Sequence, residues 1–108
     1  MNTVEVLVVA RAKVDTPEKW ITNQYDRDDA YCAVGACMAA AGYDMTNLSA
    51  SYEQSCVKSI ALCYLEKVVG HNVVTWNDAK GRTHAEVLAA FDKAIELARA
   101  EQAAGATP

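Results

Sequence analysis

The chain has no cluster of basic residues, no long apolar run and no glycine-rich phosphate loop, and each absence removes a class of function. Ten lysines and arginines are scattered singly among fourteen acidic residues, for a net charge of −4. A nucleic-acid binder concentrates positive charge on one face, so no nucleic-acid partner is expected, and −4 is too little for an acidic mimic of DNA. The longest uncharged apolar run, Ala30 to Ala41, is too short to span a bilayer. The start of the chain carries Glu5 and lacks a basic leader and a small-residue cleavage site. These features predict a soluble, cytoplasmic protein without membrane contact. A nucleophile elbow and a zinc-ligand pattern are also missing.

Cys32, Cys37, Cys56 and Cys63 are spaced five and seven apart within each pair, unlike the close pairs of structural zinc sites. All four fall in apolar helical contexts. They read as free, buried thiols acting as small hydrophobes rather than as a disulfide framework. Metal and cofactor are therefore expected to be none.

What is present is a chain of 108 residues, 52% hydrophobic and 22% charged, enough to bury a core as one domain. Residues 1–101 are expected to form that domain and 102–108 a flexible tail. The segment from Thr3 to Val14 alternates valines at strand spacing, but it has no strand of similar length to pair with, and a lone strand leaves its backbone unsatisfied. A helix starting at Thr3 and ending at Asp15-Thr16-Pro17 is the better reading, with Trp20 and Ile21 as core anchors after it. Thr22 to Asp29 is a polar loop, whose Asp28 or Asp29 would cap a helix over 30–41. That helix has almost no polar side and should lie at the centre, ended by a left-handed Gly42.

Ser51 and Gln54 form a capping-box pattern for a helix from Tyr52 to Val69. Tyr52, Cys56, Ile60 and Cys63 make one apolar stripe on it; Val57, Ala61, Tyr64 and Val68 make a second beside it. Gly70 stops it, and His71 to Thr75 reads as an extended link. Thr83 and Glu86 start the last helix with another capping box, and His84, Val87, Leu88, Phe91, Ala94, Ile95 and Ala98 give it an apolar stripe at 3–4 spacing. The fold class is mainly α: a small single-domain irregular bundle of about four helices around the buried small-residue helix 30–41.

Three stretches together carry a resemblance. Pro17-Glu18-Lys19-Trp20-Ile21 follows the first helix, Tyr31-Cys32-Ala33-Val34-Gly35-Ala36 opens the second, and Trp76-Asn77-Asp78 precedes Arg82-Thr83-His84-Ala85-Glu86-Val87-Leu88 and Phe91-Asp92-Lys93-Ala94-Ile95. The combination resembles a family of small uncharacterised proteins of actinobacteria and their phages, marked by a Trp-Asn-Asp turn before an Arg-Thr-x-x-Glu-Val-Leu helix. The likeness covers Val4 to Leu97. Where such sequences carry a tryptophan near the first cysteine, this one has Tyr31. The resemblance implies a compact helical domain and brings no catalytic residues.

Two functions follow as alternatives. The first is a non-enzymatic protein-interaction module, of the kind a phage uses to bind and modulate a host protein, with a protein partner and with self-association through the face of the 52–69 helix that carries Leu62 as a further option. The second is a ligand-binding or enzymatic site built from Trp76, Asn77, Asp78, Arg82 and His84, the indole serving as platform and the polar groups as contacts. Against the second, Trp76 also suits a buried anchor, Asn77 or Asp78 an Asx-type turn, and Arg82 an ion pair bracing Asp78. Asp26, Asp28 and Asp29 form a carboxylate cluster, but without the glycine and distal glutamate of a calcium loop.

Overall fold

A computed structural model describes residues 1–105. Helix α1 (Thr3–Lys13) is followed by a 3-10 turn (Pro17–Lys19), a two-stranded hairpin β1 (Asp26–Arg27) and β2 (Ala30–Tyr31), then α2 (Ala33–Ala40), α3 (Tyr52–Val69), α4 (Val73–Asn77) and α5 (His84–Ala103). The molecule is mainly α, and its radius of gyration of 12.8 Å is close to the ~13 Å of a compact chain this long. No helix among the described residues is long and apolar enough to cross a membrane.

Helix α2 lies among α1, α3 and α4, and only Ala39 of its residues escapes full burial. Its small side chains let those neighbours approach closely. It is shorter than the run 30–41 suggested: Ala30 and Tyr31 form the second strand of the hairpin, paired with Arg27 and Asp26. Asp28 and Asp29 do not cap α2. They are the two loop residues of that hairpin, at φ 50° and 65°, the geometry a type I′ turn requires and one aspartate tolerates. The cap is Cys32, whose Sγ accepts the Gly35 N–H at 3.3 Å. Gly35 is required here because a Cβ on it would sit 1.9 Å from the Tyr25 carbonyl oxygen. That carbonyl in turn accepts the Cys32 N–H, so the loop before the hairpin is pressed onto the first turn of α2.

Helix α1 is the helix expected, but Asn2 rather than Thr3 caps it: Asn2 Oδ1 accepts from Glu5 N and Glu5 Oε1 from Asn2 N. Its side chains Val6, Leu7 and Ala10 are buried against α2, α3 and α5, with Phe91 and Val87 of α5 in the same core. The segment 71–75 is not extended. Asn72 caps the short helix α4, so Trp76 and Asn77 form a helical end. Helix α5 runs on to Ala103; positions 106–108 of the expected tail lie outside the described residues.

Helix α3 has the expected bounds, capping box and left-handed Gly70. Of its two apolar stripes, only the second faces inward, with Ala61, Tyr64 and Leu65 buried. Tyr52 is 84% and Ile60 37% exposed. Cys63 is exposed and Cys56 half-buried, so only Cys32 and Cys37 are the buried thiols expected; all four are free.

Candidate functional site

Asn77 ends α4 with its side chain fully buried. Its Oδ1 accepts two hydrogen bonds, from Trp20 Nε1 at 2.7 Å and from Ala33 N at 3.0 Å. Its Nδ2 donates to the Ile21 carbonyl at 3.2 Å and to Asp78 Oδ1 at 2.9 Å. Every hydrogen-bonding position of the amide that a buried Asn must fill is thus taken within the protein. One of the partners, Ala33 N–H, is the first amide of α2, a group with no acceptor inside its own helix. Asp78 continues the arrangement: its Oδ1 also accepts the N–H of Asn23, a residue held at φ 67°.

Trp76 is 8% exposed. The guanidinium of Arg82 lies over its ring, Cζ at 4.2 Å from the centroid, and Arg82 Nε donates to the Trp76 carbonyl at 2.8 Å. The remaining arm of Arg82 pairs with Glu86 at 3.1 Å. Arg82 therefore braces the turn, but through Trp76 and Glu86 and not through the ion pair with Asp78 that the sequence suggested. Glu86 Oε1 also accepts the Thr83 N–H, completing the capping box. That hydrogen bond, with help from Arg82, holds the Glu86 carboxyl below its ordinary range. His84 Nε2 is 2.6 Å from the carbonyl of Val14, the cap of α1. A carbonyl can only accept, so Nε2 carries the proton and donates; the ring also lies 6.3 Å from that of Trp20.

The five candidate residues are neighbours in a network joining α1, the Trp20 corner, α2, α4 and α5. They do not converge on one cavity. A cleft of about 230 Å³ beside them is lined by Asn23, Gln24, Tyr25, Cys32, Val74 and Asp78, and so takes in only one of the five. Burial holds the Cys32 thiol above its ordinary range, with the Asp78 charge adding to the effect, against the pull of its hydrogen bond from Gly35. A thiol in that state is a poor nucleophile. The hairpin gives Asp26, Asp28 and Asp29 no shared centre, and no three His, Cys, Asp or Glu side chains gather in a metal-binding group among the described residues.

Two features stand outside the five candidate residues: Trp20, the distant partner of Asn77, and the outward stripe of α3. The second has a signal in the sequence, since α3 has two apolar stripes where a helix on a surface needs one.

The fold and the turn define a small helical domain whose Trp-Asn-Asp motif ties separate elements together. The chain belongs to a family of unknown function, DUF6197, whose pattern it matches over residues 1–97. No curated protein and no solved structure matches it.

Proposed function

We propose that the chain is a non-enzymatic protein-interaction module whose working surface is the outward face of α3. The observation that carries this reading is the exposure of Tyr52, at 84%, in line with Ile60 and Cys63 on a helix that buries its other apolar stripe. Exposed apolar side chains grouped along one element mark contact surfaces, and an aromatic among them is a favoured anchor. The motif's resemblance to phage and actinobacterial sequences makes a host protein, bound and modulated, the partner class of choice.

The alternative, a ligand or enzyme site on the 76–84 turn, would draw on side chains already committed: the Asn77 amide has no free hydrogen-bonding group to offer. Affinity capture from the native host separates the two. Wild type and Arg82→Ala should retain the same protein, and Tyr52→Glu should lose it. Loss on Arg82→Ala with the fold intact, and retention by Tyr52→Glu, would move the function to the turn.

A further inference from the structure

The outward face of α3 has a charge pattern of its own. Between Glu53 and Glu66 its exposed positions are Ser59, Ile60 and Cys63, with Cys56 half-buried beside them, none of them charged. Lys58 turns away from this face, its ammonium lying over the Tyr43 ring at 5.7 Å. Charges stand only at the two ends: Glu53 at the first, and Glu66 and Lys67 side by side at the second, with Glu66 about 100° round the helix from Lys67. Glu53, Ile60 and Lys67 are heptad-spaced, so they lie on one line along the helix, drifting only about 20° per step.

Such a line is complementary to itself when reversed. If two α3 helices pack antiparallel about a two-fold axis at Ile60, each Ile60 meets its counterpart and each Glu53 meets Lys67 of the other copy. A two-fold interface repeats every contact, so the pairing supplies two ion pairs around an uncharged centre. Sliding the pair by one residue would instead set Glu53 against Glu66. Lys67 rests 3.9 Å from Glu101 and over the Tyr64 ring at 5.2 Å, but with its side chain 60% exposed these are surface contacts that it can exchange for Glu53 of the other copy.

We infer that this face docks a second copy of the chain, α3 against α3 in antiparallel register, an inference that rests on reading α3 as the interaction surface. The seam is short, so the dimer belongs with weak, transient interfaces rather than obligate ones. The register also brings Cys56 of each copy to within about 1.5 Å, along the helix axis, of the level of the other copy's Cys63, one residue's rise.

Sedimentation velocity over a concentration series tests this. The wild type should pass from monomer to dimer. Ile60→Glu, which sets two carboxylates on the axis, should abolish the dimer, and Lys67→Glu should weaken it about tenfold or more. Adding Glu53→Lys to Lys67→Glu should restore it. Both reversals work against the α3 dipole, so a rescue cannot come from helix stability, which circular dichroism follows in parallel. Mild oxidation of the wild type by diamide should give a covalent dimer that both Cys56→Ser and Cys63→Ser prevent. A dimer that the double charge reversal fails to rescue overturns the register and the inference. Monomer at every concentration, with host-protein capture still lost on Tyr52→Glu, overturns the second copy as occupant and leaves the interaction surface standing. Monomer throughout with capture unaffected by Tyr52→Glu overturns both.

Discussion

Asn77 accepts the indole N–H of Trp20 at 2.7 Å across a separation of 57 residues. With its bond from Ala33 N at 3.0 Å, the same oxygen fixes where the polypeptide turns after α1 and where α2 begins. A motif that looks like a binding loop in one dimension works as a joint in three.

Asn77→Ala should therefore destabilise the domain severely. It leaves the Trp20 indole and the Ala33 amide without acceptors in a buried site, at about 1–3 kcal/mol for each unsatisfied group. Urea unfolding should show a lower midpoint. Asn77→Asp should also destabilise at neutral pH, since it keeps the acceptor but removes both donors and puts a charge beside Asp78; that loss should shrink as the pH falls and the new carboxyl is protonated.

Arg82→Lys should not rescue Arg82→Ala. Lysine cannot donate from Nε to the Trp76 carbonyl while lying flat over the indole and reaching Glu86. Each variant should lose roughly 1–2 kcal/mol in thermal or urea unfolding, and protein capture should survive both. Equal stability of Arg82→Lys and wild type would show that only the charge matters here.

Gly35→Ala should cost more than its size suggests. The new methyl group would meet the Tyr25 carbonyl at 1.9 Å, and backbone has to move to relieve it. Overpacking of this kind costs about 1–3 kcal/mol and occasionally more. Hydrogen exchange should show faster exchange at Cys32 N–H, which bonds that carbonyl, and at the first amides of α2. Unchanged protection there would mean that the loop yields freely.

Two groups should make stability fall as the pH rises above about 9. Burial pushes the Cys37 thiol from 9.0 up to about 12. The Tyr64 hydroxyl, donating to Glu101 and partly desolvated, rises from 10.0 to about 12. In each case the unfolded chain releases its proton first as the pH rises, so stability present below the unfolded values is lost on the way to the folded ones. Urea midpoints across this range should show the decline, and combining Cys37→Ala with Tyr64→Phe should reduce it, with Cys32 still contributing.

Much of the helical frame was legible in the residues. The Ser51–Gln54 and Thr83–Glu86 boxes and the left-handed Gly70 set helix ends by local chemistry, and local chemistry is what a sequence displays. The start of α2 was hidden because Ala30 to Ala41 is apolar throughout, so no periodicity separates strand from helix, and Asp28-Asp29 suits a hairpin loop as well as a cap. The inward face of α3 was ambiguous for a related reason: both its stripes are apolar, and packing against α1, α2 and α5 selects between them. The roles of Asn77 and Arg82 depend on Trp20, Ala33 and Trp76 being brought together by the finished fold, and no spacing in the chain announces such a meeting.

If the Trp-Asn-Asp turn is architecture and the outward face of α3 is the proposed contact surface, proton–nitrogen correlation spectra over a wide dilution range will separate the two. Concentration-dependent shifts are expected at Tyr52, Cys56, Ile60, Cys63 and Lys67, while the Trp20 indole, the Asn77 side-chain amide and the Arg82 Nε signals stay fixed. Shifts centred on Asn77, Asp78 and Arg82, with α3 silent, would contradict it.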